Sequence, residues 1–344
     1  MFDFSIEDLR QWFLKNKRDL PWRAFPTPYT VLVSEVMLQQ TQVSVVIPYY
    51  QRWMTLFPTL EALAESKEEE VLKAWEGLGY YSRARRLRNA AIFISEKWQG
   101  KMPRHAEELA TIPGIGAYTF GAICSFAFKE KRAAVDGNVM RVLSRYFAIE
   151  EDISKSKGQE FFRKIAEKIL PENEPWVIAE ALIELGALIC KKKPICSACP
   201  LLHSCKAHQQ NLVEKFPLNS RQLISVKLHR MVPILMSNEK FLIQKVPAGK
   251  VMADLHEFPY FEGQMSLKDL QDKIKNEFKL EVNPIGKLPL VKHSFTKYRV
   301  NLEAYFFNSN RAKVEGFFWG SYKNLSELAF SSGHRKLVNY LLKL

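Results

Sequence analysis

Ile112-Pro113-Gly114-Ile115-Gly116-Ala117-Tyr118-Thr119 joins two stretches whose apolar residues recur at helical spacing, and its reading decides the architecture around it. Glycines at alternate positions let backbone amides approach a phosphate closely, and a helix starting behind them adds the positive end of its dipole. The octapeptide reads as a helix-hairpin-helix signature, whose phosphate contact through Gly114 and Gly116 positions DNA without reading its sequence. An ordinary tight turn between helices is the competing reading of an isolated Gly-x-Gly. To either side, Leu60, Leu63, Leu72 and Trp75, then Phe161, Ile165, Ile169, Val177, Leu182 and Leu185, keep the helical period. The breaks between them, such as Phe57-Pro58-Thr59 and Gly77-Leu78-Gly79, are short, so residues 1–206 are expected to form one compact, mainly α domain.

Residues 207–225 turn polar and lose the period, which predicts an interdomain linker. Beyond it the pattern changes to strands. Residues 230–236 and 240–246 flank Ser237-Asn238-Glu239 as a hairpin, and 298–307 alternates, with Val300, Leu302, Ala304 and Phe306 on one face. Ser266 caps a helix lined by Leu267, Leu270, Ile274 and Phe278, and 334–342 reads as another, so 226–344 is expected to be an α+β domain. Two domains suit 344 residues at about 150 per domain.

A formal net charge of +13, from 50 Lys and Arg against 37 Asp and Glu, favours a polyanionic partner, nucleic acid before an anionic membrane surface. No uninterrupted apolar run of about 18 residues exists to span a bilayer. Residues 1–10 are acidic and amphipathic rather than signal-like, with Ser5 placed to cap a helix, so a cytoplasmic protein is expected. Four of the five cysteines fall between 190 and 205, which suits metal binding better than a disulfide framework. Five, two and five residues separate Cys190, Cys196, Cys199 and Cys205. Structural zinc usually shows two close pairs and an iron-sulfur cluster tolerates uneven spacing, so spacing alone leaves both open. Lys191, Lys192 and Lys193 add charge where a DNA backbone could pass, or form a solvated charge run.

Two carboxylates stand out. In Val31-Leu32-Val33-Ser34-Glu35-Val36-Met37-Leu38, a Glu within an apolar run is expected to be desolvated, its pKa raised until it can hold a proton near neutrality and act as a general acid. The alternative is a Glu on a solvated helix edge; the polar Gln39-Gln40-Thr41-Gln42 that follows argues against it. Asp136, in Val135-Asp136-Gly137-Asn138, stands at the mouth of an apolar helix as an N-cap. A carboxylate held by helix amides is expected to stay ionised, which suits it to stabilise positive charge developing on a sugar.

Leu20-Pro21-Trp22-Arg23, the Ser34 to Val43 run, Gly77-Leu78-Gly79-Tyr80-Tyr81-Ser82-Arg83, the Ile112 to Thr119 hairpin, Val135-Asp136-Gly137-Asn138 and the Cys cluster together resemble MutY-type adenine DNA glycosylases, of the helix-hairpin-helix superfamily that includes endonuclease III. The resemblance spans nearly all of the first two thirds in fixed order. It implies excision of adenine mispaired with 8-oxoguanine or guanine in duplex DNA, and a [4Fe-4S] cluster on the four cysteines. Glu35 would be the general acid that protonates adenine N7, and Asp136 the carboxylate that stabilises the oxocarbenium-like sugar, with Tyr118 and Asn138 supporting Asp136. Arg23, Leu38 and Glu180 would line the adenine pocket; Gln40, with Thr41 beside it, and Tyr80 would wedge into the base stack, since adenine must leave the duplex to be reached. Gly116-Ala117-Tyr118-Thr119 lacks the Lys with which the endonuclease III pattern attacks the sugar, so a monofunctional enzyme that leaves an abasic site is implied.

The second domain resembles the family's 8-oxoguanine-recognition domain, related to Nudix hydrolases, through Leu255-His256-Glu257-Phe258-Pro259 and Phe330-Ser331-Ser332. No Arg-Glu-rich box follows Pro259, so the rival reading as a nucleotide hydrolase lacks its metal-holding residues. The family's Phe-Ser-His is here Phe295-Thr296-Lys297, which keeps a hydroxyl but exchanges a ring for a cation and bears on 8-oxoguanine discrimination. The first Cys interval is one residue shorter than the family's, which implies a tighter loop. A non-enzymatic DNA-binding scaffold is the remaining alternative, against which Glu35 and Asp136 both speak. The enzyme is expected to be a monomer, associated with the nucleoid if bacterial.

Overall fold

The computed structural model describes residues 4–221, 224–247 and 249–343. They divide into two compact units, Met1–Glu65 with Arg86–Gln222, and Ser66–Arg85 with Leu223–Leu344. In chain order the helices are α1 (Ile6–Asn16), α2 (Pro21–Ala24), α3 (Pro28–Leu38), α4 (Val43–Leu56), α5 (Leu60–Glu65), α6 (Glu68–Ala74) and α7 (Ser82–Trp98). After α8 (Ala106–Leu109) and α9 (Ala117–Ala122), a π-helical turn, Ile123–Ala127, prolongs α9. Then come α10 (Gly137–Phe147), α11 (Ser156–Ile169), α12 (Pro175–Leu188) and α13 (Lys206–Gln209).

The all-helical expectation for the first two thirds holds. Helix α3 is central: Thr27 and Thr30 form a reciprocal capping box around Pro28, and every residue from Val31 to Met37 is buried, as a helix apolar on all sides must be. Two details differ from the sequence reading. Ser5 stands at the start of α1 without capping it; its Oγ lies 2.9 Å from Ser204 Oγ instead. In α11 the adjacent phenylalanines exchange places: Phe162 is fully buried and Phe161 is 39% exposed. Residues 207–221 are also no loose linker. Ala207 and Phe216 are buried, and Arg145 Nε donates to the carbonyls of Val213 and Phe216, both at 3.0 Å, so the segment packs on the helical unit. Residues 222 and 223 of that expected linker lie outside the described residues.

The other unit holds β1 (Val226–Ser237), β2 (Lys240–Lys245), β3 (His256–Glu257), β4 (Phe261–Glu262), α14 (Leu267–Phe278), β5 (Val282–Lys287), β6 (Val291–Phe295), β7 (Tyr298–Ser309), β8 (Phe318–Ser321), α15 (Tyr322–Glu327) and α16 (Ser332–Leu341). The sheet runs β3-β2-β1-β7-β5, with β4 on β1, β6 on β7 and β8 on β2; β1 and β7 are parallel. The β1–β2 turn is as expected, with Asn238 and Glu239 both at positive φ, and Ser266 caps α14. Helices cover both faces. Val300, Leu302, Ala304 and Phe306 pack with Leu337, Val338 and Leu341 of α16, while Phe307 on the opposite face joins Leu270 and Ile274 of α14, as the alternation predicts.

Ser66–Arg85 belongs to this unit, which the linear reading did not anticipate. Arg335 Nε donates to Glu76 Oε1 at 2.7 Å, and Tyr81 Oη to the Phe330 carbonyl at 3.2 Å. Among the described residues no helix is long and apolar enough to cross a membrane.

Candidate active site

Helix α3 carries Glu35 into the interior, 7% exposed, and α9, packed against α3, brings Tyr118 to it: Tyr118 Oη donates to Glu35 Oε2 at 2.5 Å. The resemblance assigns Tyr118 to Asp136, whose charge also acts on it; in this structure its hydrogen bond goes to Glu35, because α9 packs on α3. Desolvation dominates the electrostatics. It pushes the Glu35 pKa up to about 7, against the hydrogen bond from Tyr118 and the charge of Arg23 and with the help of Asp136 and Glu180. The expectation of a carboxyl able to hold a proton near neutrality therefore stands. Burial also raises the Tyr118 pKa, so its hydroxyl stays a donor.

Asp136 caps α10, accepting from the backbone amides of Asn138 and Val139, both at 2.9 Å, and from Asn138 Nδ2 at 2.7 Å. These bonds and Arg141 favour the charged form, yet burial outweighs them and raises its pKa above the usual aspartate value. The amides alone do not set its charge. Three hydrogen bonds still favour ionised Asp136 where Tyr118 alone does so for Glu35, so of the two carboxyls Glu35 takes the proton first.

Asn138 is itself held: Arg141 Nη2 donates to its Oδ1 at 2.7 Å and to the Gly186 carbonyl at 2.9 Å. Gly186 lets α12 lie against this corner, since a Cβ there would stand 2.6 Å from Asn138 Cβ and 3.0 Å from its Cα and its carbonyl oxygen. We expect Gly186→Ala to move Asn138 and lower the activity of the site at least tenfold. The cost in stability, read from its melting curve, should be about 1–3 kcal/mol; a wild-type rate would show that the corner tolerates the methyl.

One cavity of about 510 Å³ gathers Glu35, Tyr118, Asp136, Asn138, Arg23, Leu38, Gln40, Thr41 and Glu180. It also holds residues the sequence reading passed over. Glu184, fully buried, accepts from Arg18 N, Nε and Nη2 at 3.1, 2.6 and 3.1 Å and from Arg23 Nη2 at 2.9 Å. Burial pushes its pKa up, but the Arg18 hydrogen bonds and Arg23 prevail and hold it below normal. Arg23 Nε also pairs with Glu180 at 2.9 Å, so two glutamates four residues apart on one apolar helix were the signal for this network. Gly114 and Gly116 line a second cavity of about 340 Å³ with Gln39, Tyr118, Arg86 and Arg163. Gly114 needs its glycine, at φ +86°; Gly116 does not, but nothing lies within 4 Å of where its Cβ would be, which leaves its backbone approachable.

Tyr80, Phe295 and Thr296 belong to the other unit. Tyr80 is 44% exposed and held at φ +47°. Phe295 ends β6 with its ring 5.3 Å from that of Tyr298, and Thr296 is exposed in the turn to β7, also at φ +47°.

Cys190, Cys196, Cys199 and Cys205 are free thiols that line one small cavity with Arg145. Arg145, 4% exposed, donates through Nη1 to Cys190 Sγ at 3.4 Å. Four thiols around one small cavity are a donor set that suits a metal cluster, although among the described residues no three His, Cys, Asp or Glu side chains are placed to hold one metal ion. Lys191, Lys192 and Lys193 are exposed beside it.

Comparison with known proteins bears on the whole chain. Residues 33–168 match the HhH-GPD superfamily of base excision DNA repair proteins, and 231–340 the NUDIX domain. The adenine DNA glycosylase of Buchnera aphidicola subsp. Schizaphis graminum is 30% identical over 346 residues, covering 98% of each chain. The adenine DNA glycosylase of Rattus norvegicus is 45% identical over 213 residues, but the match covers 59% of this chain and 41% of that one, so the chain spans less than half of that relative. A trapped endonuclease III–DNA covalent intermediate superposes with a TM-score of 0.52 at 25% identity, over 60% of this chain and 95% of that one. With its HhH-GPD and NUDIX domains and a relative matched from end to end, the chain belongs to the MutY-type adenine DNA glycosylase family.

Proposed function

We propose that this chain hydrolyses the N-glycosidic bond of adenine paired with 8-oxoguanine or guanine in duplex DNA, as a monofunctional enzyme acting as a monomer. The observation that carries the reading is the pairing of Glu35 and Asp136 in one cavity, one carboxyl pushed to about 7 and the other held by the amides that open α10. Glu35 gives its proton to adenine N7, and the C1′–N9 bond breaks with its electron pair moving into the base. Asp136 stabilises the cationic sugar, bonding to it transiently before water adds at C1′. Tyr118 orients Glu35, Asn138 orients Asp136, and Arg23, Leu38 and Glu180 border the base.

Gln40, Thr41 and Tyr80 are assigned to opening the base stack, Gly114 and Gly116 to phosphate, and Phe295 and Thr296 to the 8-oxoguanine side. Cys190, Cys196, Cys199 and Cys205 would hold a [4Fe-4S] cluster, whose contribution is four thiolate bonds that fix the 190–205 loop. Duplexes with adenine opposite 8-oxoguanine, guanine, cytosine and thymine test the reading. Cutting of the first two only is expected, and thymine-glycol cleavage in their place would favour endonuclease III chemistry. Borohydride should trap little protein on DNA; trapping at the level of a bifunctional glycosylase would overturn the monofunctional assignment.

A further inference from the structure

Beside Lys17, which lies over the Phe13 ring, Lys129 is the cation of the large cavity that neither the mechanism nor the Arg18–Arg23–Glu184 network employs. It follows the π-helical turn at φ +61°, the left-handed conformation in which helices commonly end. Its Nζ stands 5.2 Å from the ring centre of Trp176, at the start of α12, and both side chains line the cavity. Among the described residues it is engaged only by that ring and, at longer range, by the charge of Glu180, so its three N–H donors remain to be used.

The charged groups of the cavity form a sequence in space. Glu35 has Asp136, Glu180 and Arg23 as charged neighbours, Glu180 has Arg23, Lys129, Lys17 and Glu184, and Lys129 has Glu180. Helix α12 sets the scale: Gly186 abuts Asn138 at one end and Trp176 meets Lys129 at the other. That separation is about 15 Å at 1.5 Å per residue. The order Asp136, Glu35, Glu180, Lys129 matches the order of atoms around a flipped deoxyadenosine, from C1′ to N7, the N6 amine and N1. A carboxylate beside an ammonium is also the complement of a donor amine beside an acceptor ring nitrogen. Guanine presents the reverse, with O6 towards the carboxylate and N1–H towards the ammonium.

We propose that Lys129 donates to N1 of the extruded adenine while Glu180 accepts from its N6 amine, so that the pair reads the base as adenine, with Trp176 fixing the ammonium by its ring face. This rests on the adenine-excision reading above. The test is single-turnover excision of adenine and of 1-deazaadenine, in which N1 is a C–H, by the wild-type chain and by Lys129→Met. Altered pairing and leaving-group chemistry of the analogue cancel in the comparison between enzymes. The ratio of adenine to 1-deazaadenine rates is expected to fall about tenfold or more in Lys129→Met, as loss of a hydrogen bond from a charged donor implies, and to be retained in Lys129→Arg. Equal ratios in wild type and Lys129→Met would overturn the assignment, while a wild-type chain that releases no adenine from any duplex would remove the proposed activity and this assignment with it.

Discussion

Replacing Glu35 by Gln is expected to lower the single-turnover rate of adenine excision by about 10²- to 10⁴-fold, the usual worth of general acid catalysis, while duplex binding is retained. The amide keeps the shape of the side chain and an oxygen for the Tyr118 hydroxyl, which now donates at 2.5 Å, so what is lost is the proton. In the wild type the rate should fall as pH rises through about 7, where Glu35 gives up its proton. The same shift has a consequence for stability. A carboxyl whose pKa rises from about 4.5 in the unfolded chain to about 7 in the folded one binds more protons when folded between those values. Its contribution is therefore present at low pH and lost as pH climbs through that window, on the order of 3 kcal/mol in all. Glu35→Gln lacks this loss, so relative to wild type it should become more stable at pH 8 than at pH 5, by melting temperature. A variant that excises at the wild-type rate, or a stability difference independent of pH, would displace Glu35 from this role.

What the sequence could disclose about this site follows the range of the interactions involved. Burial of Glu35 is written locally, in the apolar residues around it on α3, and the Asp136 cap in the Asp-Gly-Asn that opens α10. The partner of Tyr118 is not local. Glu35 is 83 residues away, and helical spacing states which face a residue occupies without stating which helix meets it. The Phe161 and Phe162 exchange has a related cause, since two adjacent phenylalanines fit the same apolar stripe almost equally and packing selects one. Ser66–Arg85 read as part of the helical bundle because its own period is helical. Its allegiance is decided by Glu76 with Arg335 and Tyr81 with Phe330, pairs 259 and 249 residues apart. Lys129 was hidden in Lys129-Glu130-Lys131-Arg132, a run that looks like a solvated surface, and its contact with the Trp176 ring is what distinguishes it.

Asp136→Asn should be nearly as damaging as the loss of Glu35 and should differ from it in a diagnostic way. Asparagine is as good an N-cap as aspartate, so α10 should still begin at Gly137 and the loss should be of charge facing the sugar. Removing one electrostatic contact to a developing charge costs about 10²- to 10³-fold in rate, and here the transient bond to the sugar goes with it. There is a local penalty besides. Asn138 Nδ2 now donates to Asp136 Oδ2 at 2.7 Å while its Oδ1 accepts from Arg141 at 2.7 Å. An amide NH2 at position 136 opposes that donor, and turning Asn138 over would set its NH2 against Arg141 instead. One hydrogen bond is therefore lost whichever way the amides settle, worth about 1 kcal/mol of stability. Binding to a duplex carrying an uncleavable adenine analogue should not weaken, because a negative charge has been removed from a surface that meets phosphates. The pH profile separates the two carboxyls: the wild-type rate should decline at low pH as Asp136 is protonated and at high pH as Glu35 ionises, whereas Asp136→Asn should keep only the high-pH decline. An Asp136→Asn enzyme that works within tenfold of wild type, or that still loses rate at low pH, would mean that another group stabilises the sugar, and the division of labour between the two carboxyls would have to be redrawn.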